Sequence, residues 1–135
     1  MIYIVTSTFY KELSDEMIMG VSQNIDDFKL VQVPGAFEIP GMVKQILDNK
    51  KPDLIITLGV IIKGKTNHFE QISDFVFNSI SKLTISCNVP IAFGVISAQN
   101  YKQAQERALR SRKNKGYEVA RAGLKMLELY EQYKK

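Results

Sequence analysis

The sequence has very little of the residues that build disulfides, metal sites and membrane spans. Cys87 is the only cysteine and His68 the only histidine among 135 residues. A single cysteine excludes an internal disulfide, and a lone histidine with no second histidine or cysteine partner argues against a zinc site. No apolar run reaches the roughly 18 residues of a membrane helix, and the first residues lack the basic region of a signal peptide. We therefore expect no metal, no membrane partner and a cytoplasmic location.

The composition is that of an ordinary globular protein, with 45% hydrophobic and 24% charged residues. A length of 135 residues fits one domain, so we expect a single domain over residues 1–135. The net charge is +4, and much of it is concentrated in residues 107–115. Such a cluster binds a phosphate or a nucleic acid, or is a solvated helix face. Aromatic residues are not interleaved with it, as base stacking would require, so we expect no nucleic-acid partner.

Short apolar runs alternate with longer segments of helical spacing. The runs 54–62 and 89–96 are almost continuously apolar, which is typical of parallel strands covered on both faces. The predicted strands are 2–5, 28–33, 54–62 and 89–96, and the predicted helices are 11–26, 37–47, 69–87, 100–110 and 116–133. In the last helix we expect a buried stripe formed by Val119, Gly123, Met126 and Tyr130.

This order of elements predicts a doubly wound α/β sandwich with four parallel strands and right-handed crossovers. Ligands bind such sheets beyond the carboxyl ends of the strands. The turns that follow Val5, Val33, Ile62 and Ile96 are therefore the places to look for a site.

One of these turns contains the pattern GxxxxGK[ST], which Gly59–Thr66 matches between a predicted strand and a predicted helix. Residues 60–62 are β-branched and favour continuing the strand, which argues against a nucleotide-binding phosphate loop. Residues 64–66 nevertheless precede a helix start, where backbone amides and the helix dipole hold a single phosphate group. Alternatively, Thr66 or Asn67 is only the N-cap of that helix.

Three more residues are candidates for chemistry at these turns. His68 lies in the first turn of the same predicted helix and is the best proton-transfer group in the chain, or else a surface residue. Glu38 follows the turn at Pro34 and Gly35, and is either a carboxylate at a helix dipole or an acceptor for ligand hydroxyl groups. Phe9 either caps the core or presents a ring face for stacking.

Taken in order and with their spacing, five segments resemble the lumazine synthase family. They are 33–40, 58–69, 89–95, 103–108 and 114–116, and the resemblance covers essentially residues 2–128. It implies a flavodoxin-like three-layer sandwich and a transferase for the penultimate step of riboflavin biosynthesis. In that step 5-amino-6-(D-ribitylamino)uracil condenses with L-3,4-dihydroxy-2-butanone 4-phosphate to give 6,7-dimethyl-8-ribityllumazine, phosphate and water. It implies no cofactor, because proton transfer and anion binding suffice.

The resemblance also implies roles for individual residues. His68 would be the general acid/base. The residues that would contact the pyrimidine and ribityl groups are Phe9, Ala36, Phe37, Glu38, Val60, Ile61, Ile62, Phe93 and Lys115. Those that would bind the phosphate are Lys65, Thr66 and Arg107. In the family Phe93, Arg107 and Lys115 come from the adjacent subunit, so the resemblance implies a homopentamer, with an icosahedral sixty-subunit capsid as a larger form.

The chain departs from the usual family pattern at two places. Lys65 stands where glutamate or alanine is commoner, and Ser111, Arg112 and Lys113 replace a lysine and an Ala-Gly pair. The second departure lies where pentamers meet, which leaves a pentamer, a decamer and a shell open. Three alternative functions are an archaeal-type riboflavin synthase, a phosphate-loop nucleotide-binding protein and a nucleic-acid-binding module.

Overall fold

A computed structural model describes residues 1–64, 68–109 and 114–134. The strands are β1 (Ile2–Ser7), β2 (Lys29–Val33), β3 (Leu54–Ile62) and β4 (Ile91–Ala98). The helices are α1 (Lys11–Ser22), α2 (Ile39–Asn49), α3 (His68–Ser86), α4 (Tyr101–Ala108) and α5 (Lys115–Gln132). The predicted order of elements is confirmed, and β3 has the predicted bounds. Within the described ranges, no helix is both long enough and apolar enough to cross a membrane.

The four strands form one parallel sheet in the order β2-β1-β3-β4. Val5 in β1 lies opposite Val31 in β2 on one side and opposite Thr57 in β3 on the other. From β1 the chain thus runs to β2 at one edge of the sheet, and it then crosses over to form β3 and β4 on the other side of β1. In sheets of this type a crevice opens at the carboxyl ends of the strands where the order reverses, here between β1 and β3.

Helices cover both faces of the sheet, because successive strand residues point to opposite sides. Ile4 and Ile56 belong to a core cluster with residues of α1, α4 and α5. Their neighbours Val5 and Ile55 belong to a second cluster with residues of α2 and α3. All four side chains are fully buried. The three layers confirm the predicted flavodoxin-like sandwich.

Two helices differ from the prediction in more than the positions of their ends. Met126 is 43% exposed, so its predicted place in the buried stripe of α5 was wrong. At 100° per residue the stripe is centred between Val119 and Ala120, so Met126 lies about 70° from its centre, whereas the half-buried Leu127 and Tyr130 each lie about 30° from it. The helix predicted over 37–47 is instead a 3₁₀ turn at Ala36–Glu38 followed by α2. Pro40 lies in the first turn of α2, where a proline loses no intrahelical hydrogen bond.

Candidate active site

A cavity of about 240 Å³ opens at the carboxyl ends of β1 and β3, at the switch point of the sheet. It is lined by the residues after β1, by the 3₁₀ turn after β2, by the end of β3 and by one residue of α3. These lining residues are Phe9, Tyr10, Gly35, Ala36, Phe37, Val60, Ile61, Ile62 and Ile72. The structure therefore brings together most of the residues predicted for the pyrimidine and ribityl groups.

Two exposed aromatic rings form the walls of this cavity, which we call the Phe9 cavity. Phe9 is 70% exposed and lies T-shaped against Tyr10, with ring centroids 4.9 Å apart. Phe37 is 52% exposed and stacks on Phe75 of α3 at 4.5 Å with an interplanar angle of 21°. The alternative that Phe9 caps the core is wrong, since most of its surface is accessible. Exposed ring faces beside a cavity are suited to stacking on a flat heterocycle.

The floor of the Phe9 cavity is the end of β3. Residues 60–62 stay extended and pair with β4, Val60 opposite Ile96 and Ile62 opposite Ala98. A phosphate loop must instead curl at these positions so that its amides surround the anion. The nucleotide-binding alternative is therefore wrong. The predicted phosphate ligands Lys65 and Thr66, and the possible N-cap Asn67, lie outside the described residues.

His68 and Glu38 are not among the described lining residues of the Phe9 cavity, but each lies at the start of a helix and close in sequence to a residue that lines it. His68 is the exposed first residue of α3, and its Nδ1 lies 3.3 Å from Oε1 of Gln71. Ile72, one turn further along, lines the cavity, and residues four apart share a helix face. Glu38 occupies the N-cap position of α2 and is exposed. Its Oε1 lies next to Gly35, at 3.2 Å from the position that a Cβ atom on that glycine would occupy. The position of Glu38 is compatible with both predicted roles.

The remaining predicted residues lie elsewhere on the chain. Arg107 and Lys115 line a cavity of about 220 Å³ beside β4. The Nη1 of Arg107 donates a hydrogen bond to the carbonyl of Ser97 at 3.2 Å, and the Nζ of Lys115 pairs with Glu118 at 3.2 Å. This site, the Arg107 cavity, combines two cations with one carboxylate. Among the described lining residues, none is shared between the Arg107 cavity and the Phe9 cavity.

Phe93, which was predicted to act with Arg107 and Lys115, lies next to them. It lines a neighbouring cavity of about 270 Å³ to which Lys115 also contributes. Its ring packs edge-on against Phe77 of α3 at 5.6 Å. The predicted site residues that line described cavities thus fall into two separate groups, one around Phe9 and one around Arg107.

Sequence reasoning assigned no role to Asn114, which the structure places at the base of the second group. Asn114 is fully buried and caps α5 by accepting a hydrogen bond from the amide of Tyr117 at 2.9 Å. Its Nδ2 donates to the carbonyls of Glu16 at 3.0 Å and Ala108 at 3.1 Å. Since Arg107 adjoins Ala108 and Lys115 adjoins Asn114, these bonds fix the positions of the two cationic residues relative to each other. An asparagine just before a helix was the available signal.

Two glycines allow Asn114 to occupy this position. A Cβ on Gly116 would collide with the carbonyl of Met17, and one on Gly20 would collide with the side-chain oxygen of Asn114. Both positions therefore require the smallest side chain for α1 and α5 to approach. The Asn-Lys-Gly segment that carried part of the family resemblance thus has a packing function in addition to presenting Lys115.

A polar contact joins α4 to α1 behind the Phe9 cavity. The hydroxyl of Tyr101 donates a hydrogen bond to Oε1 of Glu12 at 2.7 Å. This bond lowers the pKa of the Glu12 carboxyl and raises the pKa of the Tyr101 hydroxyl, because it favours the charged carboxylate and the neutral phenol. The Tyr101 ring also contacts the ring of Tyr10, with centroids 6.2 Å apart. The first turn of α4 is therefore connected to the wall of the cavity.

The chain is an α/β protein of the flavodoxin-like type with a cavity at the switch point of its sheet. Residues 1–131 match the family model described as 6,7-dimethyl-8-ribityllumazine synthase. The chain belongs to this family, as its sequence motifs predicted.

Three curated relatives carry that same name. The proteins of Leuconostoc mesenteroides and Limosilactobacillus reuteri are each 37% identical to this chain, over 140 and 134 residues. The first alignment covers 98% of this chain and 90% of the relative, and the second covers 96% and 88%. The protein of Chloroherpeton thalassium is 35% identical over 136 residues, with 96% and 88% coverage. The similarity therefore extends over nearly the whole length of each protein.

Proposed function

We propose that this protein is a transferase that condenses 5-amino-6-(D-ribitylamino)uracil with L-3,4-dihydroxy-2-butanone 4-phosphate. The products would be 6,7-dimethyl-8-ribityllumazine, phosphate and water, in riboflavin biosynthesis. The observation that carries the proposal is the Phe9 cavity, which opens at the switch point of the sheet and combines exposed aromatic rings with an apolar strand end. Membership of the 6,7-dimethyl-8-ribityllumazine synthase family supports this chemistry.

In this proposal the Phe9 cavity binds the pyrimidine. The accessible face of Phe9 stacks on the ring, and residues 60–62 contact its edge mainly through backbone groups. Ala36 and Phe37 lie along the ribityl chain, and the exposed Glu38 carboxylate accepts hydrogen bonds from its hydroxyl groups. A carboxylate suits this role because an ionised acid only accepts hydrogen bonds, whereas each hydroxyl donates one.

His68 would be the catalytic residue that transfers protons. Imine formation, loss of phosphate through an enol and ring closure each move a proton to or from a reacting atom. When the Gln71 side-chain oxygen accepts from Nδ1 of His68, that nitrogen carries the proton and Nε2 is left as the base. The exposure of His68 at the start of α3, four residues before Ile72 of the cavity lining, supports this role.

Arg107 would bind the phosphate of the butanone, together with Lys65 and Thr66. Within the part of the chain that the structure describes, its side chain bonds to Ser97 through Nη1 alone, which leaves the other guanidinium donors for a bidentate pair with a phosphate. The nearby Lys115 adds a second positive charge to the Arg107 cavity.

The two separate groups of residues support a site that is completed by a second copy of the chain. The Phe9 cavity, at about 240 Å³, is smaller than the roughly 300–1,000 Å³ of typical small-molecule sites. We propose a homo-oligomer, a pentamer in its basic form, in which Phe93, Arg107 and Lys115 of one subunit face the Phe9 cavity of the next. A cytoplasmic location is part of the proposal, because the charged butanone phosphate does not cross membranes unaided.

The proposal is tested by mixing the purified protein with both substrates and following the absorbance and fluorescence of the lumazine product. We expect product to form faster than in a control without enzyme. A folded, oligomeric protein that gives no acceleration would contradict the proposal. Conversion of lumazine alone to riboflavin would then favour the archaeal-type riboflavin synthase.

A further inference from the structure

Tyr10 lies between the core and the exposed ring of Phe9. It is half-buried, packs against the core cluster of α1, α4 and α5, and also lines the Phe9 cavity. Its carbonyl accepts hydrogen bonds from the amides of Leu13 and Ser14, both at 3.0 Å, at the start of α1. On its outer side it meets Tyr101, which is itself hydrogen-bonded to Glu12 on α1. Tyr10 is therefore held by its backbone and on two sides of its ring.

Phe9, in contrast, has a single aromatic contact among the described residues, and it is with Tyr10. Before it, Thr8 is anchored to β2 by a 2.9 Å hydrogen bond from its amide to the carbonyl of Val33, but the Phe9 side chain is 70% exposed. Its aromatic contact is the T-shaped one with Tyr10, at 4.9 Å and 68°. A T-shaped contact covers at most one face of a ring, so Tyr10 leaves at least one face of Phe9 uncovered.

We propose that Tyr10 is a positioning residue that holds the Phe9 ring in the orientation needed to stack on the pyrimidine. An exposed phenylalanine exchanges between rotamers, and fixing one of them on binding reduces the affinity. An edge-to-face partner that is already anchored fixes the ring before the ligand arrives. The inference rests on the proposed function, because it concerns how the same site binds the heterocycle.

The test compares Tyr10→Leu with Tyr10→Phe by equilibrium titration with 6,7-dimethyl-8-ribityllumazine, whose fluorescence reports binding without turnover. Tyr10→Leu should weaken binding about three- to tenfold, the range expected for loss of one aromatic pair. Tyr10→Phe keeps the ring and should bind as the wild type does. Tyr130→Leu removes another half-buried tyrosine, on α5, and is the matched control with unchanged affinity.

Steady-state kinetics and a double-mutant cycle separate positioning from other roles. Tyr10→Leu should raise KM for the pyrimidine, with kcat and the KM for the butanone phosphate unchanged. In a Phe9→Leu background, Tyr10→Leu should change lumazine affinity less than twofold, because the ring that it positions is gone. Independent, multiplying effects of the two changes would overturn the proposal and make Tyr10 a direct ligand contact.

Two outcomes distinguish this inference from the proposed function. A wild type that forms and binds lumazine, with a Tyr10→Leu variant of equal affinity, would overturn the positioning role alone. A wild type that neither forms nor binds lumazine would overturn the proposed function and the positioning role with it.

Discussion

Replacing Asn114 by alanine should destabilise the protein far more than the loss of an ordinary helix cap. The change removes the cap of α5, a bond typically worth about 1 kcal/mol. It also removes the two hydrogen bonds that Nδ2 donates to the carbonyls of Glu16 and Ala108 in a fully buried setting. Buried groups that lose a partner cost roughly 1–3 kcal/mol each. Together these terms span about 3 to 7 kcal/mol, and single substitutions rarely cost more than about 5 kcal/mol. We therefore expect a loss of about 3 to 5 kcal/mol in the free energy of unfolding, or about 10 to 20 °C in Tm.

Two other asparagines provide matched controls. Asn100 is an exposed N-cap of α4 that accepts one hydrogen bond from the amide of Gln103 at 2.8 Å, so Asn100→Ala should cost about 1 kcal/mol. Asn49 is exposed and donates to the carbonyl of Gln45 at 2.9 Å, so Asn49→Ala should stay within about 0.5 kcal/mol. Urea unfolding of all variants at one protein concentration measures these differences, since subunit association makes stability concentration-dependent.

One result would refute the role of the buried hydrogen bonds of Asn114. If Asn114→Ala is no more destabilising than Asn100→Ala, the two buried donations contribute nothing, and the role given to Asn114 is wrong. Asn114→Asp adds a second check. It keeps an acceptor for the amide of Tyr117 but turns a carboxylate toward two carbonyl oxygens, so we expect it to be at least as destabilising as alanine.

Three further predictions concern the site and its surroundings. His68→Ala should lower kcat by about 10²- to 10⁴-fold, the usual contribution of a general acid/base, with pyrimidine affinity unchanged; wild-type turnover would remove His68 from the mechanism. Arg107→Ala should mainly raise KM for the butanone phosphate. Arg121 is also exposed, and Arg121→Ala is the control that should leave this KM unchanged. Equal kinetics in the two variants would refute the pairing of Arg107 with the phosphate. Tyr101→Phe should return the pKa of Glu12 upward toward its ordinary value, since the lost hydrogen bond is the main cause of its lowering. In the wild type the hydrogen bond contributes fully at a pH above the ordinary pKa of Glu12, and it is lost as the pH falls through the lowered pKa of Glu12. NMR titration of Glu12 in the wild type and in the variant measures both pKa values.

Much of the fold could be predicted because hydrophobic patterning and packing agree locally. The run Leu54–Ile62 predicts β3 with its observed bounds, since a strand covered on both faces is apolar along its length. Met126 was predicted wrongly because a three-residue step from Gly123 fits the stripe, whereas the stripe is centred between Val119 and Ala120. Such a small rotation is decided by the packing of the whole helix and cannot be read from spacing alone.

The candidate site could be predicted only in part. The turns after the strands, and hence Phe9 and Glu38, follow from the rule that ligands bind at the carboxyl ends of parallel strands. The separation of Arg107 from Phe9 depends on tertiary packing and has no signature in sequence spacing. Asn114 was overlooked because its cap motif was visible but its burial was not. The positions of Lys65 and Thr66 remain predictions.

The contact between α1 and α5, where Gly116 lies against Met17, has a consequence for the stage of synthesis at which the chain folds. Val119 and Ala120 of α5 share a core cluster with Leu54 and Ile56 of β3, so the cover that α1 and α4 give to that face of the sheet is completed only when α5 has left the ribosome. The opposite face, with α2 and α3, draws on segments that are made earlier. We therefore expect chains that stop before Asn114 to expose part of the core cluster around Leu54 and Ile56 to water. Such fragments should aggregate during translation. Because of the contact between α1 and α5, folding is completed only late in synthesis.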